Sequence, residues 1–307
     1  MRVLVTGASG HIGSALVPEL LAAGHQVVGL ARSDASAGAL EAAGAQVHRG
    51  DLDDLAGLGE AAASADGVIH LAFKHDLMFS GDAAGAQAAD LAAIKAIGAA
   101  LEGSGKPFVG TSGTLMLPIG GVWGRPGTEE DVLEGPGRIQ AENALVALAE
   151  RGVRASVVRL PPLVHSDLDH HGFGPLLIGM AREAGASGYP GDGANRWPAV
   201  HTLDAARGYR LALERAPAGR RLHVVGDDGV PFRDIAAVIG RELGLPTDSV
   251  SAEDAPARFS VLAGFITLDN PVSSALTREW LGWEPEHAGL IEDLEAGHYF
   301  AGGAVTG

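Results

Sequence analysis

The sequence predicts an α/β protein: a doubly wound parallel sheet with a small, mainly helical C-terminal lobe. Three observations predict it. Through the first half, short β-branched runs alternate with longer Ala/Leu-rich stretches at helical spacing, the pattern of repeated βαβ units. A glycine-rich turn joins the first such strand to the first such helix. After Leu160 the alternation breaks down into Pro-, Gly- and His-rich sequence and resumes only weakly.

Parallel strands are expected at Arg2–Thr6, Gln26–Leu30, Gln46–Arg49, Gly67–Ala72, Pro107–Thr111 and Val153–Leu160. Between them Ser14–Ala23, Asp54–Ala63, Ala83–Glu102 and Ile139–Arg151 carry apolar residues every three or four positions, as crossover helices do. Gly24 and Gly152 stand where a helix end calls for a left-handed residue. Further on, a helix at Leu203–Glu214 and a strand at Leu222–Val225 precede helical segments Phe232–Leu243 and Ala255–Phe265 and a C-terminal stretch around Leu276–Phe300. The expected division is a main domain of residues 1–165, to which 198–226 return, and a lobe made of 166–197 and 227–307.

With 307 residues, the chain is long enough for one large core and a smaller appendage. Its formal charge of −16 and lack of any long Lys/Arg cluster argue against nucleic acid as a partner. Cysteine is absent, which excludes disulfides, thiolate metal sites and cysteine nucleophiles. Met1-Arg2 leads directly into Val3-Leu4-Val5 with no apolar leader, and no window approaches a membrane span, so a cytoplasmic protein is expected.

The strongest motif is Thr6-Gly7-Ala8-Ser9-Gly10-His11-Ile12-Gly13, lying directly between strand and helix. Gly7 permits the tight turn, Gly10 lets backbone approach a pyrophosphate, and Gly13 lets the helix pack on the strand. Amides at the helix N-terminus, from Ser9, His11 and Ile12 onward, then face the phosphates of a dinucleotide. The second strand ends Ala31-Arg32-Ser33 with no carboxylate at its tip, so Arg32 and Ser33 are expected to contact the 2′-phosphate of NADP(H). Asp51, followed by Leu52, is positioned to accept from the adenine amino group or to cap the next helix together with Asp53 and Asp54.

These residues resemble the short-chain dehydrogenase/reductase superfamily, a Rossmann-fold group, and in particular its extended and atypical members related to NAD(P)-dependent epimerases and dehydratases. The likeness extends through Gly50-Asp51-Leu52, His70-Leu71-Ala72, Thr111-Ser112-Gly113, Arg159–His165, Trp197–His201 and Leu281–Pro285. It implies that Leu71, Ala72, Phe73 and Thr111 line the ribose and nicotinamide side of the cofactor and that Leu163 and Val164 contact the carboxamide. It also implies that Ser112 is the catalytic serine. The chain departs from the superfamily at the Tyr-x-x-x-Lys element: Glu134 stands for the tyrosine and Arg138 for the lysine, and the only tyrosines are Tyr189, Tyr209 and Tyr299. By resemblance Arg138 holds the nicotinamide ribose, and the helices Ala83–Glu102 and Ile139–Arg151 form a possible homodimer interface.

A carboxylate of ordinary pKa is a poor proton donor near neutrality, which leaves Ser112 and the histidines, His75 and His165 first, for that task. His170, His171 and His201 also lie in segments expected around the cleft, with Asp167–His171 read as a solvated loop, and no metal site is expected. Lys74, Phe173 and Trp197 are substrate-side candidates, and Phe73, Met78 and Phe79 add to an apolar pocket. The expected activity is NADPH-dependent reduction of a carbonyl or imine of a small, largely apolar substrate. A non-catalytic NADP sensor and a sugar-nucleotide epimerase or dehydratase are the alternatives.

Overall fold

The computed structural model describes residues 1–301; of these, the side chain of Phe79 lies outside the description. Seven parallel strands form the main sheet: β1 (Arg2–Thr6), β2 (Gln26–Ala31), β3 (Gln46–Arg49), β4 (Gly67–His70), β5 (Pro107–Gly113), β6 (Arg154–Leu160) and, after a long excursion, β10 (Arg220–His223). Their order is β3-β2-β1-β4-β5-β6-β10, so the order reverses beside β1, where a doubly wound sheet opens its ligand crevice. β1, β4, β5 and β6 are almost wholly buried because helices cover both faces. On one face lie α1 (His11–Ala22), α2 (Asp34–Ala42) and α9 (Thr202–Arg215); on the other lie α3 (Leu55–Ser64), α5 (Ala83–Leu101) and α7 (Arg138–Val146). Two short helices, α4 (His75–Phe79) and α6 (Met116–Ile119), follow β4 and β5. Gly24 (φ 82°) and Gly152 (φ 74°) close their helices in the left-handed region, as expected.

The second lobe departs from a mainly helical one. A three-stranded sheet, β7 (Leu163–His165), β9 (Arg196–His201) and β11 (Asp227–Pro231), and a pair, β8 (Ser187–Pro190) with β12 (Thr247–Val250), run through it. These strands are three to six residues long, too short for an alternating pattern to register in sequence. Around them pack α8 (Phe173–Ala184), α10 (Phe232–Leu243), α11 (Ala255–Phe259) and α13 (Leu290–Glu295), over a core that includes Trp197, Phe232, Ile239 and Phe259.

Other boundaries are also corrected. α2 went unread, although Ser33 caps it by accepting from the Ser36 amide at 3.1 Å, a signal present in the sequence. α7 stops at Val146, and Ala147–Arg151 tightens into a 3₁₀ turn. The helix expected to Phe265 ends at Phe259, where Ser260 takes a positive φ of 44°. The Leu276–Phe300 stretch resolves into α12 (Ala275–Leu281) and α13. Leu281 and the fully buried Trp283 join the main-domain core shared with α1 and α9, not the lobe; the Trp283 indole donates to the Asp204 carbonyl at 3.0 Å. Among the described residues no helix is long and apolar enough to cross a membrane.

Candidate functional site

The glycine turn has the form that a pyrophosphate requires. Gly7 is left-handed (φ 68°), and a Cβ there would lie 2.8 Å from the Ala72 amide, so only glycine lets the turn approach the chain that follows β4 this closely. A Cβ on Gly13 would lie 2.3 Å from the Gly7 carbonyl, so the helix packs on the turn only with glycine. On Gly10 it would meet only the Gly7 carbonyl, at 3.3 Å, leaving the outer side of the turn open. No side chain caps α1 and no acid stands in its first turn, so its leading amides are offered to an anion. A dinucleotide therefore fits Gly7–Gly13. Ile12 is half-buried against the core, Ser9 is exposed, and the His11 ring turns away from the turn toward α9.

Where the adenosine of a dinucleotide held on this turn would lie, Ala31, Arg32, Ser33, Asp34, Arg49, Gly50, Asp51 and Asp54 line an open cleft. Arg32 is largely exposed and has the Asp76 carboxylate 3.7 Å away. Asp51 accepts from the Asp53 and Asp54 amides (2.8 and 3.2 Å), holding the turn, while Asp54 rather than Asp51 caps α3 through the Gly57 amide. Leu52 is buried beneath them.

A buried polar chain runs from the glycine turn to the opposite end. Thr6 Oγ1 accepts from the Ala72 amide (3.2 Å) and lies 2.6 Å from His70 Nδ1. The Asp90 carboxylate can only accept, so His70 Nε2–H donates to its Oδ1 at 3.2 Å, and the other ring nitrogen, Nδ1, is left to the threonine hydroxyl. The other oxygen of Asp90, itself only 3% exposed, faces Arg138 Nη1 at 3.5 Å. Arg138 Nη2 donates to the Thr111 carbonyl (3.3 Å), and its guanidinium lies 4.4 Å over the Phe73 ring. The His75 ring meets Phe73 edge-on at 5.1 Å. Partial burial and then the Arg138 cation hold the His75 pKa below its ordinary value. Thr111 Oγ1 donates to the His70 carbonyl and accepts from Tyr209, whose hydroxyl is fully buried and pushed well above the ordinary phenol range.

Ser112 lies on the opposite face of β5 from Thr111 and is 3% exposed. Its Oγ makes no well-formed hydrogen bond and lies beside Glu142, whose ionised form it favours. Glu142 in turn holds Arg159 (2.6 and 3.1 Å) and Arg221 (2.7 Å) in a buried ion network. Glu134 is exposed. His165 is buried in the second lobe, with Nδ1 2.9 Å from Asp293 and its ring edge-on to His201. Leu163 belongs to the lobe core, and Val164 packs on the main core.

The remaining candidates are dispersed. Lys74 Nζ binds the Asp53 carboxylate at 2.5 and 2.6 Å. Trp197 is corrected to a core residue: it is fully buried against Phe232 at 5.1 Å, so it lines no open pocket. Phe173 packs beside it at 5.9 Å, and Met78 is half-buried. Asp167, His170 and His171 are exposed, but Asp169 within that loop is buried and corrects the solvated reading. Asp169 accepts from Tyr299 (3.2 Å) and the Gly172 amide (2.7 Å), and His11 lies 3.7 Å away. Thr202 gives its proton to the His165 carbonyl (3.1 Å), so His11 Nε2 donates to Thr202 at 2.8 Å. Among the described residues no group of three His, Asp or Glu side chains is arranged to hold a metal ion. Sequence reasoning missed Asp90, Tyr209, Asp169 and Arg49; of these only Arg49, next to Gly50-Asp51, carried a local signal.

Comparison with known proteins follows the same lines. Two uncharacterized proteins, from Schizosaccharomyces pombe and Saccharomyces cerevisiae, are each 45% identical to the chain, across 98% and 97% of it and 100% and 99% of their own lengths. A 2-alkyl-3-oxoalkanoate reductase of Stenotrophomonas maltophilia is 28% identical over 80% of this chain and 77% of its own. The structure of a UDP-glucose 4-epimerase from Thermotoga maritima superposes with a TM-score of 0.77 at 19% identity, covering 98% of each chain, a likeness of fold. The model of the NAD dependent epimerase/dehydratase family matches residues 3–226. That match spans most of the chain, which belongs to the NAD dependent epimerase/dehydratase family.

Proposed function

We propose that this protein is an NADPH-dependent reductase of a carbonyl or imine carried by a small, largely apolar substrate. The observation that carries this reading is the polar end of the crevice, where a permanent cation, Arg138, is anchored by Asp90 and the Thr111 carbonyl and no tyrosine stands between Ser112 and Val153. Epimerisation and dehydration of a sugar begin by taking a proton from a hydroxyl, which requires a base. Tyr209 and Tyr299 are both held well above the ordinary phenol range, chiefly by burial, so each stays protonated near neutrality and cannot take up the hydroxyl proton. Reduction instead needs negative charge on the product atom to be stabilised, a task for a fixed cation.

Bound NADPH would supply the reducing equivalent, and the preference for its 2′-phosphate rests on Arg32 at the end of β2. His75, sharing Phe73 with Arg138, is the best placed of the three expected proton donors; Ser112 is turned toward Glu142 and His165 toward Asp293. The likeness to a 2-alkyl-3-oxoalkanoate reductase supports the same class of chemistry.

The test is oxidation of NADPH across a panel of ketones, aldehydes and cyclic imines. Turnover with an apolar carbonyl or imine is the expected result. Tight NADPH binding with no turnover across the panel would favour a cofactor sensor, and interconversion of a sugar nucleotide would overturn the proposal in favour of an epimerase.

A further inference from the structure

The adenosine-end cleft holds two cations, and only one of them, Arg32, follows β2. Arg49, the last residue of β3, lines the same cleft as Arg32 and Ser33. β2 and β3 pair in parallel register with Ala31 beside Arg49, which sets Arg49 one strand over from Arg32 at the same carboxyl ends of the strands, and both side chains line the cleft there. We infer that Arg49 is a second specificity-determining ligand, closing with Arg32 on the phosphate monoester of a 2′-phosphorylated adenosine. The inference rests on the NADPH preference proposed above.

The present partners of the two arginines do not oppose this. Arg49 pairs with Asp34, whose carboxylate is 97% exposed, and Arg32 stands 3.7 Å from Asp76, itself 64% exposed. Ion pairs this open to water contribute little, whereas a phosphate dianion accepting two guanidinium forks forms charge-assisted, bidentate bonds. Exchange of Asp34 for phosphate therefore favours the phosphate. The Ser33 hydroxyl caps α2, so the helix whose first turn borders the cleft keeps its cap while the arginines change partners.

Dissociation constants for NADPH, NADH, 2′,5′-ADP and 5′-AMP would be measured by titration calorimetry on the full chain, for wild type, Arg49→Gln and Arg32→Gln, with melting temperatures confirming the fold. Arg49→Gln is expected to weaken NADPH and 2′,5′-ADP by about 10- to 100-fold, the worth of a charged hydrogen bond, and to leave NADH and 5′-AMP within about twofold. Arg49→Lys should recover part of the loss, because it restores the charge without the fork. An equal loss for both cofactors, or none for either, overturns the role of Arg49. If Arg32→Gln alone discriminates, the second ligand is refuted while the NADPH preference stands. If wild type does not prefer 2′,5′-ADP over 5′-AMP, the preference itself fails.

Discussion

Gly10 and Gly13 differ in what surrounds them, and the difference can be measured. At Gly10 an added Cβ would meet one carbonyl at 3.3 Å, and the backbone is ordinary for any residue (φ −82°). Gly10→Val should fold with nearly unchanged stability yet lose dinucleotide binding, because the side chain fills the space the pyrophosphate must enter. Gly13→Ala drives a methyl to 2.3 Å from backbone and should cost about 1–3 kcal/mol or more in urea unfolding. Intact NADPH binding in Gly10→Val would place the phosphates elsewhere. At the other end of the crevice, His75 has a pKa below its ordinary value, so the protonated donor is present only at acid pH. With a ketone substrate, kcat/KM should fall as pH rises through a value below about 6.5, and His75→Gln should remove that limb of the profile. The same limb in His75→Gln would assign the proton to another group.

At the scale of elements, β6, β10 and α7 are joined by buried charges. Glu142 on α7 resists the upward pull of burial because Arg159 and Arg221 hold its carboxylate, and its pKa lies below the ordinary value. His223 on β10 is fully buried beside Arg159; burial first, and that cation second, depress its pKa to about 3. The unfolded histidine takes up a proton near its reference pKa of about 6.5, and the folded one does not until about pH 3. Its contribution is therefore fully present above about pH 6.5 and is lost as pH falls from there toward about 3. Urea unfolding at a series of pH values should show stability declining over that window, and His223→Gln should flatten the decline even if it lowers the plateau. An unchanged slope in the variant would assign the acid limb to the carboxylates.

At the scale of the whole molecule, the last described segment returns to the first turn. Tyr299 donates to Asp169 and accepts from the Ser166 amide (3.1 Å), while His11, at the head of α1, donates to Thr202, which Ser166 also engages (2.9 Å). Glycine turn and second lobe are thus tied through one polar cluster. Tyr299→Phe leaves the buried Asp169 short of a donor and should cost about 1–3 kcal/mol in stability. Because the phenol is held well above its ordinary range, turnover should fall much less than it does when a catalytic donor is lost. A collapse of kcat with folding and NADPH binding preserved would make Tyr299 the proton donor that β5 and α7 lack.

The parts legible in the sequence were those whose causes lie within a few residues. The glycine turn, the strand–helix alternation and the Gly24 and Gly152 helix ends follow from sterics and periodicity along a short stretch of chain, and the place of Arg32, directly after β2, follows from the same alternation. The short strands of the lobe were not, for three to six residues carry too little period. Nor were the partners of the site's charges: Asp90 meets His70 across 20 residues and Arg138 across 48, Tyr209 meets Thr111 across 98, and Tyr299 meets Asp169 across 130. Such contacts depend on how helices pack against the sheet. Local propensity placed the glycine turn, whereas the anchoring of Arg138, the burial of Trp197 and the turning of Ser112 toward Glu142 arose only when distant elements met.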